Sequence, residues 1–200
     1  MRNKIYTPPM IYLASRSPRR VELLNQLGLS CEILPADIDE SQLRDEVPEH
    51  YVTRLAKQKA EVCLERLTPK QREFPVLAAD TTVVLAGQVL GKPDNDDHAR
   101  QMLQSLSGSA HQVHTAVALA YAGTVEVVLS TTTVEMMTLS ALQIEHYISS
   151  AEHQDKAGSY GIQGLAGAWI KRIDGSYTGV MGLPIYETAE LLRKHQLIAL

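Results

Sequence analysis

Cysteine is nearly missing: Cys31 and Cys63 are the only two in 200 residues. No CxxC spacing joins them, so neither a structural zinc site nor a disulfide framework is suggested, and both read as small buried hydrophobes. A basic excess is missing as well, since 19 Lys and Arg stand against 23 Asp and Glu, for a formal net charge of -4 and a pI near 6.0. That balance argues against a general nucleic-acid or membrane-surface binder, which carries a cationic stripe to neutralise phosphates, so any anion site has to be local. Long apolar runs are absent too. The longest, such as AVALAY, fall far short of the ~20 residues that span a bilayer, and MRNKIYTPPM carries two prolines where a secretory signal needs an apolar stretch. The expected compartment is the cytoplasm, with neither membrane nor nucleic acid as partner. With 44% hydrophobic and 21% charged residues the composition is that of an ordinary globular chain, and no repeat, low-complexity tract or linker suggests a second domain.

What is present reads as alternating strands and helices. PMIYLAS predicts a short buried strand, and Ser17 followed by Pro18 predicts a helix start that runs to a left-handed stop at Gly28. LSCEILPA predicts a second strand, followed by the acidic loop DIDESQLRDEVPEH. The next helix is expected near 48–67, with Val52, Leu55, Ala56, Val62 and Cys63 on its apolar stripe and Lys59 in the same stripe. FPVLAADTTVVLAGQVLGKP predicts a buried strand, a tight turn at Ala86-Gly87-Gln88 and a return strand. Asp94 or Asn95 caps a helix that stops at Gly108. Two long strands follow, joined at Ala122-Gly123, and Ser140 caps the next helix. AWIKRIDGSYTGVMG predicts a hairpin turning at Asp174-Gly175, and a last helix runs from about Pro184 to His195.

Several residues break local rules. Arg19 and Arg20 stand in the first turn of a helix, where the macrodipole disfavours cations by roughly 0.3–1 kcal/mol each. They are either solvated at that small cost or part of a site for a polyanion, which the free N–H groups of a helix start and the planar donors of arginine both suit. Asp80 interrupts an apolar run, so it is either a turn residue at a strand break or a carboxylate held by a cation, a metal or a water-filled cleft. Asp37, Asp39 and Glu40 in DIDE are hard oxygen donors that, with Asp80, suit magnesium or manganese, although such a run is usually a solvated loop. Lys59 either snorkels or points inward, and Lys92 in LGKP is equally open. The glycines at 158, 161 and 164 permit close backbone approach but match neither the dinucleotide fingerprint nor the P-loop. His111 and His114 fall on opposite faces of a strand and are poor joint metal ligands. Ser15 lacks a nucleophile-elbow context.

Taken in order, LASRSPRRVELL, DIDE, RLAKQKA, AADTTVVLAGQVLGKP, LSG and DKAGSYGIQG resemble the Maf family of nucleoside triphosphate pyrophosphatases over nearly the whole chain after residue 10. The likeness is greatest to the subgroup that hydrolyses dTTP and UTP. The resemblance implies an α/β fold similar to that of inosine triphosphate pyrophosphatase, with a mixed sheet, flanking helices and two lobes around a central cleft. It implies one such domain over 1–200, with 1–9 as an extension without assigned role, and a homodimer. It further implies Asp80 as catalytic proton acceptor and Arg19, Thr81 and Gln163 as specificity residues. Ser15, Ser17, Arg20, Lys59 and Lys92 fall on phosphate-binding positions, and Glu40 with Asp80 on positions for Mg²⁺ or Mn²⁺. Ala79 replaces a frequent glycine and Arg16 fills a variable place; neither change removes a reactive group. Because the family is also linked to cell division and septum formation, a nucleotide-binding regulator without relevant catalysis is the alternative expectation. A phosphohydrolase acting at the γ position is a third.

Overall fold

The structure is a computed structural model that describes residues 10–199; the 1–9 extension lies outside the described residues. Strand β1 (Ile11–Leu13) is buried throughout and leads through Ser17 into helix α1 (Pro18–Gln26). Proline costs nothing at a first helical position because its missing donor has no partner there. Gly28, at φ 70, lets the chain leave through the left-handed region. The edge strand β2 (Cys31–Ile33) then pairs parallel to β1. Helix α2 (Pro48–Arg66) buries Val52, Leu55, Ala56, Ala60 and Cys63 along one stripe that also contains Lys59.

Strands β3 (Val76–Leu85) and β4 (Gln88–Leu90) form a two-residue hairpin in which Ala86 and Gly87 both take positive φ, at 50° and 80°. That geometry matches the strand twist. Helix α3 (Asp96–Leu106) is capped by the Asn95 side chain, which accepts from the His98 N–H. The same kind of turn, at Ala122 and Gly123, joins β5 (Ala110–Tyr121) to β6 (Thr124–Met136). Helix α4 (Ala141–Ser149) opens with a capping box between Ser140 and Gln143. Strand β7 (Ile170–Asp174), helix α5 (Tyr177–Met181) and helix α6 (Ile185–Lys194) complete the described chain. The expected hairpin over 168–182 has only its first limb. Ser176 accepts from the Gly179 N–H and caps a short helix instead of opening a return strand.

The seven strands among the described residues make one mixed sheet in the order β2-β1-β3-β5-β6-β7, with β4 also paired to β3. Side chains alternate between its faces. Ala78, Ala116, Ala118 and Ala120 are small enough to let α2 lie close on one face, while Leu13, Leu77, Val117 and Leu119 meet α1 and α6 on the other. A third cluster, around Val83, Leu103, Tyr147 and Trp169, packs α3 and α4 against the far ends of β3 and β5. One detail of pairing positions the site. Along the edge of β3 opposite β5, β1 pairs with Val76 and Leu77 and β4 with Val83 to Leu85. Among the described residues no strand pairs with the stretch between them on that side, and Asp80 and Thr81 lie in it.

Candidate active site

The open edge of β3 forms the floor of a cleft of about 1110 Å³, walled by the α1 start, the acidic loop, Lys59 of α2, Lys92 and the glycine-punctuated segment near 152–164. Its volume suits a ligand of nucleotide size or larger.

At the floor, the Lys59 ammonium lies 2.6 Å from Oδ1 of Asp80 and 2.6 Å from Oε1 of Glu40. The helical stripe of α2 dictates this inward aim. Lys59 is 9% exposed and Asp80 8%, so each removes most of the desolvation cost of the other. Glu40 comes from the acidic loop, which α2 anchors twice: Tyr51 donates to the Glu40 carbonyl at 2.9 Å, and Arg54 pairs with Glu46 at 2.6 Å. Partial burial works against ionisation of Glu40. The hydrogen bond and charge of Lys59, helped by Lys92 and Arg20, outweigh it and hold this carboxyl below its ordinary value. The other acids of the loop do not join. Asp37 pairs with Arg16 at 2.8 Å across the cleft mouth, and Asp39 accepts from the Ser41 N–H of its own loop at 2.9 Å. The sequence-derived set of four carboxylates therefore reduces to two, because Asp37 is taken by Arg16 and Asp39 by its own loop.

The two arginines of α1 find negative charge in another helix. Arg20 Nε donates to the Gly182 carbonyl at 2.8 Å and Arg19 Nε reaches the Met181 carbonyl at 3.4 Å, at the C-terminal end of α5. Arg20 also donates to Ser15 Oγ at 3.0 Å and Thr81 Oγ1 at 3.3 Å. Burial pulls its guanidinium below the ordinary value and Arg19 adds to this, while Asp80 opposes it; arginine nevertheless stays charged. Arg19 has no other side-chain hydrogen bond among the described residues and lines the cleft with donors to spare. Arg20 is largely committed to holding the wall, and Arg19 is the freer of the pair.

Thr81 points to the face opposite Asp80, as alternation requires. Its hydroxyl lies between Arg20 and Thr115, 3.0 Å from the Thr115 hydroxyl, which itself donates to the Gly179 carbonyl at 2.8 Å. It is thus woven into the wall. Ser15 accepts from the Ser17 N–H at 3.2 Å, and the Ser17 side chain makes no cap bond although the residue sits at the N-cap. Lys92 and Gln163 line the cleft with exposed side chains. All ten residues that the resemblance singled out, Ser15, Ser17, Arg19, Arg20, Glu40, Lys59, Asp80, Thr81, Lys92 and Gln163, line one cleft. Sequence reasoning passed over Tyr51, Glu152, Asp155 and Lys156, which line it too. Burial raises the Tyr51 phenol, with Asp80 and Glu40 adding to the effect. Burial lowers Lys156, with Arg19 adding to it. Lys156 had a visible signal in its place beside the glycine segment; Glu152 had none.

Fold and cleft define a mixed α/β protein with a cation-rich hollow opening on a strand-borne carboxylate. The family model for Maf-like proteins matches residues 10–195, and the chain belongs to that family. A dTTP/UTP pyrophosphatase of Methylobacillus flagellatus is 57% identical over 183 residues, covering 92% of this chain and 91% of that protein. One of Nitrosomonas europaea is 52% identical over 195 residues, covering 92% and 93%. One of Pseudoalteromonas atlantica is 50% identical over 188 residues, covering 94% and 98%. The solved structure of the Staphylococcus aureus Ham1 protein overlaps 64% of this chain and 71% of that one at a TM-score of 0.45 and 15% identity, too loosely to carry an argument.

Proposed function

We propose that this cleft hydrolyses dTTP and UTP, and modified pyrimidine triphosphates of the same shape, to the monophosphate and pyrophosphate. The observation that carries the reading is the Lys59 centre: a buried lysine bridging Asp80 and Glu40 on the floor of a cleft whose other walls present Arg19, Arg20 and Lys92. Phosphoryl transfer needs chiefly positioning and charge stabilisation, and this arrangement supplies both. Lys59 fixes Oδ1 of Asp80, leaving Oδ2 to accept a proton from a water that attacks the α-phosphorus. The bond from that phosphorus to the bridging oxygen of the β-phosphate breaks, and pyrophosphate departs. Arg19, Arg20 and Lys92 offset charge on the triphosphate and on the leaving pyrophosphate, with Ser15 and Ser17 as neutral donors. At the other end, Gln163 offers an amide that both donates and accepts, as the imide edge of thymine or uracil requires. Arg19 and Thr81 shape that discrimination from the opposite wall.

Mg²⁺ or Mn²⁺ fits the donor set. Among the described residues no group of three or more His, Cys, Asp or Glu is placed to hold a metal, but a hard cation is commonly held by one or two carboxylates plus substrate phosphates. Glu40 and Asp80 would hold it, in competition with Lys59. When bound, it supplies Lewis-acid stabilisation of charge on the phosphate oxygens.

We further place the protein in the cytoplasm as a homodimer; no helix among the described residues is long and apolar enough to cross a membrane. Incubation with dTTP and Mg²⁺ or Mn²⁺, followed by product identification, tests the proposal. Pyrophosphate and dTMP are expected. Orthophosphate, or tight binding without turnover, would overturn it.

A further inference from the structure

The turn that carries Gln163 is braced from both sides. The Gly164 N–H donates to the Gly161 carbonyl at 3.1 Å, which makes 161–164 a β-turn with Ile162 and Gln163 at its centre. Ile162 is buried in the core and Gln163 is exposed to the cleft, so the turn is anchored by one central side chain and presents the other. On the N-terminal limb, the Gly161 N–H donates to the hydroxyl of the buried Tyr147 at 3.1 Å. The Lys156 stem lies so close that a Cβ on Gly161 would come within 2.7 Å of its Cε. On the C-terminal limb, Oε2 of Glu152 accepts from the Leu165 N–H at 2.9 Å, and the same carboxylate occupies the space that a Cβ on Gly164 would need. Lys156 Nζ donates to the Glu152 carbonyl, which ties the two braces together.

We propose that Glu152 is a positioning residue for base selection, fixing the direction in which Gln163 meets the pyrimidine by holding the limb that follows it. An acidic side chain on the wall of a cleft for a polyanion gains nothing from the charge of its ligand. Its use lies in the backbone it holds. A glutamine amide reads an imide edge only if its donor and acceptor meet the complementary atoms, and a displacement of the turn would lose that match while leaving the triphosphate end of the cleft in place. The role rests on the reading of the cleft as a dTTP/UTP pyrophosphatase.

The test compares kcat/KM for dTTP and for GTP in the parent, Glu152→Ala, Glu152→Gln, Gly164→Ala and the double variant Glu152→Ala/Gly164→Ala. Glu152→Ala is expected to lower the dTTP-to-GTP ratio about tenfold, as loss of one positioning hydrogen bond would. The change should fall more on KM for dTTP than on kcat. Glu152→Gln keeps an oxygen that accepts from Leu165 and is expected to restore most of the ratio. Gly164→Ala drives a methyl into the carboxylate and is expected to lower the ratio in the parent. Beside Glu152→Ala it should change the ratio less than about twofold, because the group it meets is gone. A merely structural brace would lower Tm and scale both substrates alike, and an unchanged ratio in a folded Glu152→Ala overturns the positioning role. If that variant does not fold, an unchanged ratio in Gly164→Ala overturns it instead. A parent that turns over no triphosphate defeats the functional reading itself, whereas a discriminating parent with equally discriminating variants defeats this role alone.

Discussion

Lys59→Met keeps the length and burial of the side chain and deletes only its charge. In the parent the ammonium sits 2.6 Å from each of two carboxylates, with side-chain exposures of 11% for Lys59, 11% for Asp80 and 45% for Glu40. Without it, a buried Asp80 faces Glu40 with only Arg20 and Lys92 left to offset their charge. Breaking a fully buried pair costs about 3–5 kcal/mol; water in the cleft and the exposure of Glu40 reduce this to about 2 kcal/mol. The pH dependence has a definite sign. The folded pKa of Glu40 is held below its ordinary value, so its stabilising contribution is complete above the ordinary carboxylate range and is lost as pH falls through the depressed value. The stability gap between parent and variant is therefore full at pH 7 and narrows as the pH falls below the ordinary carboxylate range toward the depressed value of Glu40, where the contribution of its pairing with Lys59 is lost. Urea unfolding followed by the emission of Trp169, the chain's single tryptophan, reads both quantities. A gap under about 0.5 kcal/mol at pH 7, or one that stays constant down to pH 4, would refute the reasoning.

Two further perturbations probe the surroundings of the cleft. Gly158, at φ +65, packs so closely on Val83 that an added Cβ would come within 2.9 Å of a methyl, and Gly158→Ala should cost about 1–3 kcal/mol in thermal unfolding. His111 is 3% exposed and bonds the Tyr160 hydroxyl at 2.7 Å. Burial pushes its imidazole down to about 4, so between pH 6.5 and 4 the unfolded chain binds a proton that the folded one refuses. Stability should fall across that window as pH falls, by at most about 3 kcal/mol, and His111→Gln should flatten the profile in urea titrations.

Much of the architecture was legible because its causes are local. A Ser-Pro pair, an Asn ahead of acidic residues, the Ser140 cap and left-handed glycines at 28 and 108 act within one turn of the chain, and the helices begin and end at them. Helical spacing put Lys59 in the apolar stripe of α2, but whether its head snorkels or points inward was open until its pairing with Asp80 and Glu40 was seen. The failures are non-local or concern competing local signals. AWIKRIDGSYTGVMG suggested a hairpin turning at Asp174-Gly175, but the Ser176 cap decided for helix in place of the return strand. The acidic loop offered three carboxylates to join Asp80 in one site, and only the anchoring of that loop by Tyr51 and Arg54 selects Glu40. That Thr81 would be tied to Arg20 and Thr115 depends on which strands lie beside β3, and that Glu152 would brace the turn after it depends on a fold of the 150–165 segment that no periodicity announces.

The most direct test follows the oxygen of the attacking water. With dTTP and Mg²⁺ in ¹⁸O-enriched water, attack at the α-phosphorus puts the label in dTMP and leaves pyrophosphate unlabelled, and Asp80→Asn abolishes label transfer while the variant stays folded. Label in released phosphate or pyrophosphate, or an Asp80→Asn variant that turns over at the parent's rate, would contradict the account.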